Sequence, residues 1–179
     1  LTPLHCNFYL RKSESSKRMS AVIPVGMAEL KIARCPEQLV VYGIGSCVIV
    51  SLYDPKSKAG GLAHVMLPDS TGIDPKVINP LKFADTAVPA LYEALTGAGA
   101  FKSSLVAKIV GGSEMFPPTE DFENNIGRDN TEAVKKALKK LSLPLIAEDT
   151  GGRRGRSIEF DLESGIIKLS ILGEELREI

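Results

Sequence analysis

Cys47 and His64 are the residues whose types and spacing could support covalent catalysis in this chain. Cys47 sits in "GIGSCVIV", between a glycine-rich turn and an apolar strand. His64 sits in "AGGLAHVMLP". A thiolate is the nucleophile of cysteine hydrolases, and a neighbouring imidazole takes the thiol proton. The chain holds two histidines, and the other, His5, falls in a polar N-terminal arm. If "DPKS" (54 to 57) is a four-residue loop, Tyr53 pairs with Lys58. Counting back then sets Cys47 opposite His64, with Cβ atoms ~5 Å apart on one sheet face. A slip of one residue would turn one of them to the other face. Backbone amides near Gly45 and Ser46 could hold a developing oxyanion, because Gly43 and Gly45 open backbone conformations closed to other residues. A structural reading stands beside this one. Free cysteine packs as a small hydrophobe, "VIV" after Cys47 is core-like, and a single histidine in an apolar strand can be a satisfied core residue.

Both residues depend on the elements that carry them. "QLVVYG" (38 to 43) and "SCVIVSLYD" (46 to 54) are rich in β-formers. "AGGLAHVMLP" (59 to 68) reads as the return strand, stopped by Pro68. "LKFADTAVPALYEAL" (81 to 95) has helical spacing of Phe83, Val88, Leu91 and Leu95, with Pro89 expected to kink or shorten it. "SLVAKIVGG" is a buried-type strand, and "SEMFPPTEDFENNIG" a long loop. "NTEAVKKALKKL" predicts a helix capped by Asn130, with Val134, Leu138 and Leu141 as its apolar stripe. "PLIAEDTGG" is a further strand. "RSIEFDL" and "IIKLSIL" form a hairpin around Gly165. Strands and helices are mixed without regular βαβ alternation, so the expected class is α+β, with substantial antiparallel sheet.

Composition narrows the function. The 179 residues carry a formal net charge of +0, and Trp is absent. Nothing marks a nucleic-acid binder, and few aromatics are available for base stacking. Cys6, Cys35 and Cys47 have no disulfide-framework or zinc-site spacing. Reduced thiols and a cytoplasmic location follow as expectations. No stretch reaches the length of a membrane span. Residues 1–18 read as a disordered extension, with Met19 an alternative beginning, and residues 19–179 as a single domain.

The run "GIGSCVIVSLYDPKSKAGGLAHVMLPDS" resembles the CheD family of chemoreceptor glutamine deamidases. The resemblance continues through "KFADTAV", "KIVGGSEMF", "NIGRDN", "AEDTGGRRGRS" and the closing hairpin, over about residues 21 to 172. It implies a layered α/β/β/α sandwich with mixed, largely antiparallel sheets, like that of toxin-type cysteine deamidases. It implies hydrolysis of glutamine side-chain amides on methyl-accepting chemotaxis receptors, with Cys47 as nucleophile and His64 as base, and no cofactor or metal. It also implies recruitment to receptor arrays and, in some members, binding to a CheC-like phosphatase. The family commonly has a threonine where this chain has Val41, which lacks the hydroxyl. That difference keeps a second expectation open, a weakly catalytic or non-catalytic adaptor. Gly111, Gly112 and Ser113 are candidates for substrate contact, as are Arg153 and Arg154 and the loop from Pro117 to Asn125. A strand-end turn and a solvated basic cluster are the plainer readings of these segments.

Overall fold

The computed structural model describes residues 20–74, 76, 79–115 and 125–179, so the expected N-terminal extension lies outside the described residues. Ten strands and two α-helices follow in chain order: β1 (Val22–Pro24), β2 (Leu30–Arg34), β3 (Gln38–Ile44), β4 (Val48–Asp54), β5 (Ala59–Val65), α1 (Ala84–Gly97), β6 (Val106–Gly111), α2 (Ile126–Lys140), β7 (Leu145–Thr150), β8 (Arg156–Asp161), β9 (Ile167–Ile171) and β10 (Arg177–Glu178). They build two five-stranded sheets, one in the order β1-β3-β8-β9-β10 and the other β2-β5-β4-β6-β7. Only the β1–β3 and β6–β7 pairs are parallel. This is the expected α+β sandwich with mixed, largely antiparallel sheets, but among the described residues its layers are α/β/β rather than α/β/β/α. Both α-helices pack on the second sheet. On the outer face of the first sheet Glu159, Lys168 and Ser170 are exposed.

Alternation along the strands divides the core in two. Val48, Val50 and Leu52 of β4 turn toward the helices, where Ala87, Val88 and Leu91 of α1 and Val134 and Leu138 of α2 meet them. Ile49 and Tyr53 of the same strand turn the other way, into the layer shared with Leu39, Val41, Ile158 and Phe160 of the first sheet. Strand β4 is therefore buried on both faces, which explains its unbroken apolar run. Lys108 of β6 straps the sheets together. Its Nζ donates to the carbonyls of Gly165 (2.8 Å) and Ile179 (2.7 Å), and burial lowers its pKa.

The β4–β5 hairpin turns one residue later than expected. Asp54 pairs with Ala59 and Tyr53 with Gly60, so residues 55 to 58 form the loop and Ile49, not Cys47, faces His64. The cause is the Asp54 carboxylate. It accepts from the Lys56 amide (3.0 Å) and the Ser57 hydroxyl (2.6 Å), which closes the turn behind Asp54. It also accepts from the Phe101 amide (2.9 Å) and the Ser104 hydroxyl (2.5 Å) across the fold. Burial alone would raise its pKa, but the Ser104 and Ser57 hydroxyls and the two amides outweigh burial and hold it at about 2, from 3.8. A depressed carboxylate pKa stabilises the folded state above the unfolded value and loses that contribution as pH falls through the folded one. The contribution is about 2 kcal/mol and should vanish between about pH 4 and pH 2. Asp54→Asn should lower the melting temperature by about 5 °C at pH 7. It should also flatten the acid limb of stability, as thermal unfolding across that range would show.

Two helix expectations change. Helix α1 runs through Pro89 for 14 residues and is not shortened by it. Ala84, Ala87, Val88, Leu91 and Leu95 are all buried along its inner face, and that packing outweighs the missing hydrogen bond. Helix α2 starts five residues earlier than predicted. Asn125 is its cap, with Oδ1 accepting from the Arg128 amide at 3.1 Å. Asn130 lies inside the helix and is fully buried.

Candidate active site

Cys47 occupies the short bend between β3 and β4 and is half-buried. The carbonyls of this bend are all tied down. Gly45 O accepts from the Ser113 amide (2.9 Å) and Cys47 O from the Gly112 amide (2.8 Å). Ser46 O accepts from Asn130 Nδ2 (3.0 Å). Among the described residues, the Ser46 and Cys47 N–H groups donate to no other residue. The Cys47 N–H lowers the pKa of its own thiol. Adjacent free amides with anchored carbonyls are the ingredients of an oxyanion site.

The bend needs glycine across from it. Gly111 has φ +121°, and a Cβ there would lie 2.2 Å from Cys47 O. Gly112 has φ +64°, and its Cβ would collide with Thr131 Oγ1 of α2. No side chain fits between these backbones. Gly111, Gly112 and the fully buried Ser113 are thus packed directly behind the Cys47 bend. The Ser113 hydroxyl donates to Arg154 O (2.8 Å) and accepts from Arg156 Nη1. Arg156 is 7% exposed, pairs with Asp149 (Nε–Oδ1 2.6 Å) and donates to Gly151 O (2.8 Å). This buried strut joins the end of β6 to the β7–β8 turn.

His64, near the end of β5, is 5% exposed. Leu62, two residues earlier, faces the inter-sheet layer, so alternation turns His64 to that side. Continuing the ladder one step past Val48↔Val65 sets Cys47 diagonal to His64, a shift of two residues that preserves the shared face. Sheet geometry separates such diagonal positions by ~7–8 Å. His64 Nδ1 is buried and has no hydrogen-bond partner among the described residues. Burial lowers the imidazole's pKa below 6.5, against weaker support from the Val25 main chain and the Glu29 carboxylate. Burial likewise pushes the Cys47 thiol up, partly offset by its own N–H. Both shifts favour the uncharged forms, a neutral thiol and a neutral imidazole near pH 7.

Val41 is 2% exposed and opposes Ile158 in the core between the sheets. Arg153 and Arg154 are exposed in the β7–β8 turn, beside an open cleft of about 690 Å³ that Asp149, Glu174 and Arg177 also line. Arg154 pairs with Glu174 at 3.4 Å. The turn reaches the site through Glu114, whose amide donates to Gly152 O at 2.7 Å. Residues 117 to 124 of the candidate loop lie outside the described residues. Among the described residues, no group of three or more His, Cys, Asp or Glu side chains is placed to hold a metal. No described helix is long and apolar enough to cross a membrane.

Asn130 and Arg156 complete the site without a distinctive signal of their own. The two asparagines of "NIGRDN" make equally good caps by residue type, and only the earlier helix start frees Asn130. Arg156 looks in sequence like one more member of a solvated basic cluster.

A family model described as CheD chemotactic sensory transduction matches residues 66–170. That match begins beyond Cys47 and His64. Curated relatives extend the similarity over more of the chain. One from Desulforamulus reducens, named "Probable chemoreceptor glutamine deamidase CheD", is 43% identical over 161 residues, 89% of this chain and 96% of its own. Proteins of the same name from Clostridium novyi and Clostridium botulinum strain Hall are 44% and 45% identical over 158 residues, 88% of this chain and 97% of theirs.

Proposed function

The chain belongs to the CheD family, and from that premise we propose that it hydrolyses glutamine side-chain amides of chemoreceptors to glutamate and ammonia, through a Cys47 thioester with His64 as base and acid. What supports this reading is the Cys47 bend, with its carbonyls tied and its amides unpaired among the described residues, one step beyond the ladder that carries His64.

In the proposed reaction the His64 imidazole, neutral at pH 7, takes the Cys47 proton as sulfur attacks the carboxamide carbon. The Ser46 and Cys47 N–H groups receive the oxyanion. His64 returns the proton to the departing nitrogen, and ammonia leaves. Water then loses a proton to His64 and attacks the thioester, and the proton returns to the thiolate. Val41 has no hydroxyl to orient the imidazole; in the proposed reaction the Val25 main chain, which favours its charged form, would take that role. A neutral pair suits general-base catalysis in which the thiol–imidazole contact tightens only around substrate.

The same reading makes the substrate a glutamine displayed on a receptor's cytoplasmic helices and the place of action the cytoplasmic receptor array. Arg153 and Arg154 would meet acidic residues beside the target glutamine, with Gly111, Gly112 and Ser113 backing the site. A CheC-like phosphatase is a further candidate partner. Val41 favours one competing reading, an adaptor that binds the receptor without modifying it. Intact-protein and peptide mass spectrometry of a cognate receptor, co-expressed with this chain, separates the two. Conversion of defined glutamines to glutamate is expected. A receptor bound but never converted would overturn the deamidase.

A further inference from the structure

Asn130 links the nucleophile's turn to the end of the histidine's strand. Its Nδ2 donates to Ser46 O at 3.0 Å and to Met66 O at 2.9 Å. Ser46 precedes the nucleophile, and Met66 follows His64 by two residues. The amide's orientation is not free, because a flip would set Oδ1 against two carbonyls. Its Oδ1 is buried without a partner, so the side chain bears an unsatisfied acceptor in order to make these two bonds.

The bond to Ser46 reaches beyond packing. A trans peptide is planar, and its N–H points opposite to its C=O. The described residues hold one cis peptide, Cys35–Pro36, so the Ser46–Cys47 unit is trans. Holding Ser46 O toward α2 therefore turns the Cys47 N–H away from α2, to the side of the sulfur.

We infer that Asn130 is a positioning residue for the reaction, which aims the Cys47 N–H at the oxyanion and holds the nucleophile's turn in register with the His64 strand. It touches neither substrate nor reacting atoms and acts through the Ser46–Cys47 peptide. The inference rests on the deamidase reading, but one of its consequences does not need turnover. Burial raises the Cys47 pKa and the Cys47 N–H lowers it, so losing the anchor should make the thiol harder to ionise.

The test compares wild type with Asn130→Ala, and with Asn130→Ser should the alanine variant fail to fold, after circular dichroism has established the fold at the assay temperature. For glutamine conversion, kcat should fall about 10- to 100-fold with KM within about twofold. Independently, the pH midpoint of iodoacetamide labelling at Cys47, followed by peptide mass spectrometry, should move up. A variant with a lower melting temperature but wild-type kcat and labelling midpoint would make Asn130 merely structural and overturn the inference. An unchanged midpoint in a protein that converts no glutamine would overturn it as well. A raised midpoint in such a protein would sustain the positioning role and remove the deamidase reading alone.

Discussion

Cys47→Ala should abolish conversion of receptor glutamine to glutamate, by at least about 10⁴-fold, because in the proposed reaction its sulfur forms the acyl intermediate. Among the described residues the other free thiol is Cys35, which donates to Glu163 Oε2 at 3.4 Å in the segment after β2, away from the Cys47 bend. The substitution removes one sulfur from a half-buried bend whose conformation is held by three carbonyl hydrogen bonds, none of which uses the side chain. The variant should therefore fold, melt within about 3 °C of wild type and still bind receptor. Mass spectrometry of a co-expressed receptor reads the loss, and a pull-down reads the retained binding. Conversion within tenfold of wild type would remove Cys47 from the chemistry. Binding lost together with activity would mean that the alanine had disturbed the site's shape.

His64→Gln should lower kcat by about 10² to 10⁴-fold, since glutamine cannot accept the thiol proton. The pH dependence follows from burial. The folded imidazole's pKa lies below 6.5, so wild-type activity should hold through neutral pH and fall on an acid limb centred below 6.5. The variant's residual rate should lack that limb. Stability moves in the same window. Below pH 6.5 the unfolded histidine takes up a proton that the folded one resists, so the unfolded state binds more protons and is favoured as pH falls toward the folded pKa. Melting temperatures from pH 7 to pH 5 should decline less steeply in His64→Gln than in wild type. An acid limb centred above 6.5 would show that burial does not set the imidazole's titration and would overturn this account.

Local chemistry accounts for much of this molecule. β-Branched runs and turn residues mark the main strands, because β4 and β6 must be apolar on both faces to lie between layers. Cys47 and His64 stand out by residue type alone. Their relative placement was only half legible. A hairpin count preserves the shared face under any even shift, but not the register, and Asp54 decides that by drawing Lys56, Ser57, Phe101 and Ser104 around one carboxylate. Two of those partners lie some 50 residues away, beyond any local pattern. The same holds for Asn130 and for Gly111. The first reads as a cap until α2 begins at Ile126, and the second as an ordinary strand end until its Cα meets Cys47 O. Residue types and their order mark which groups could react and the period of each element. Which carbonyls are held and which amides stay unpaired among the described residues depends on folding, because those hydrogen bonds join residues far apart in the chain.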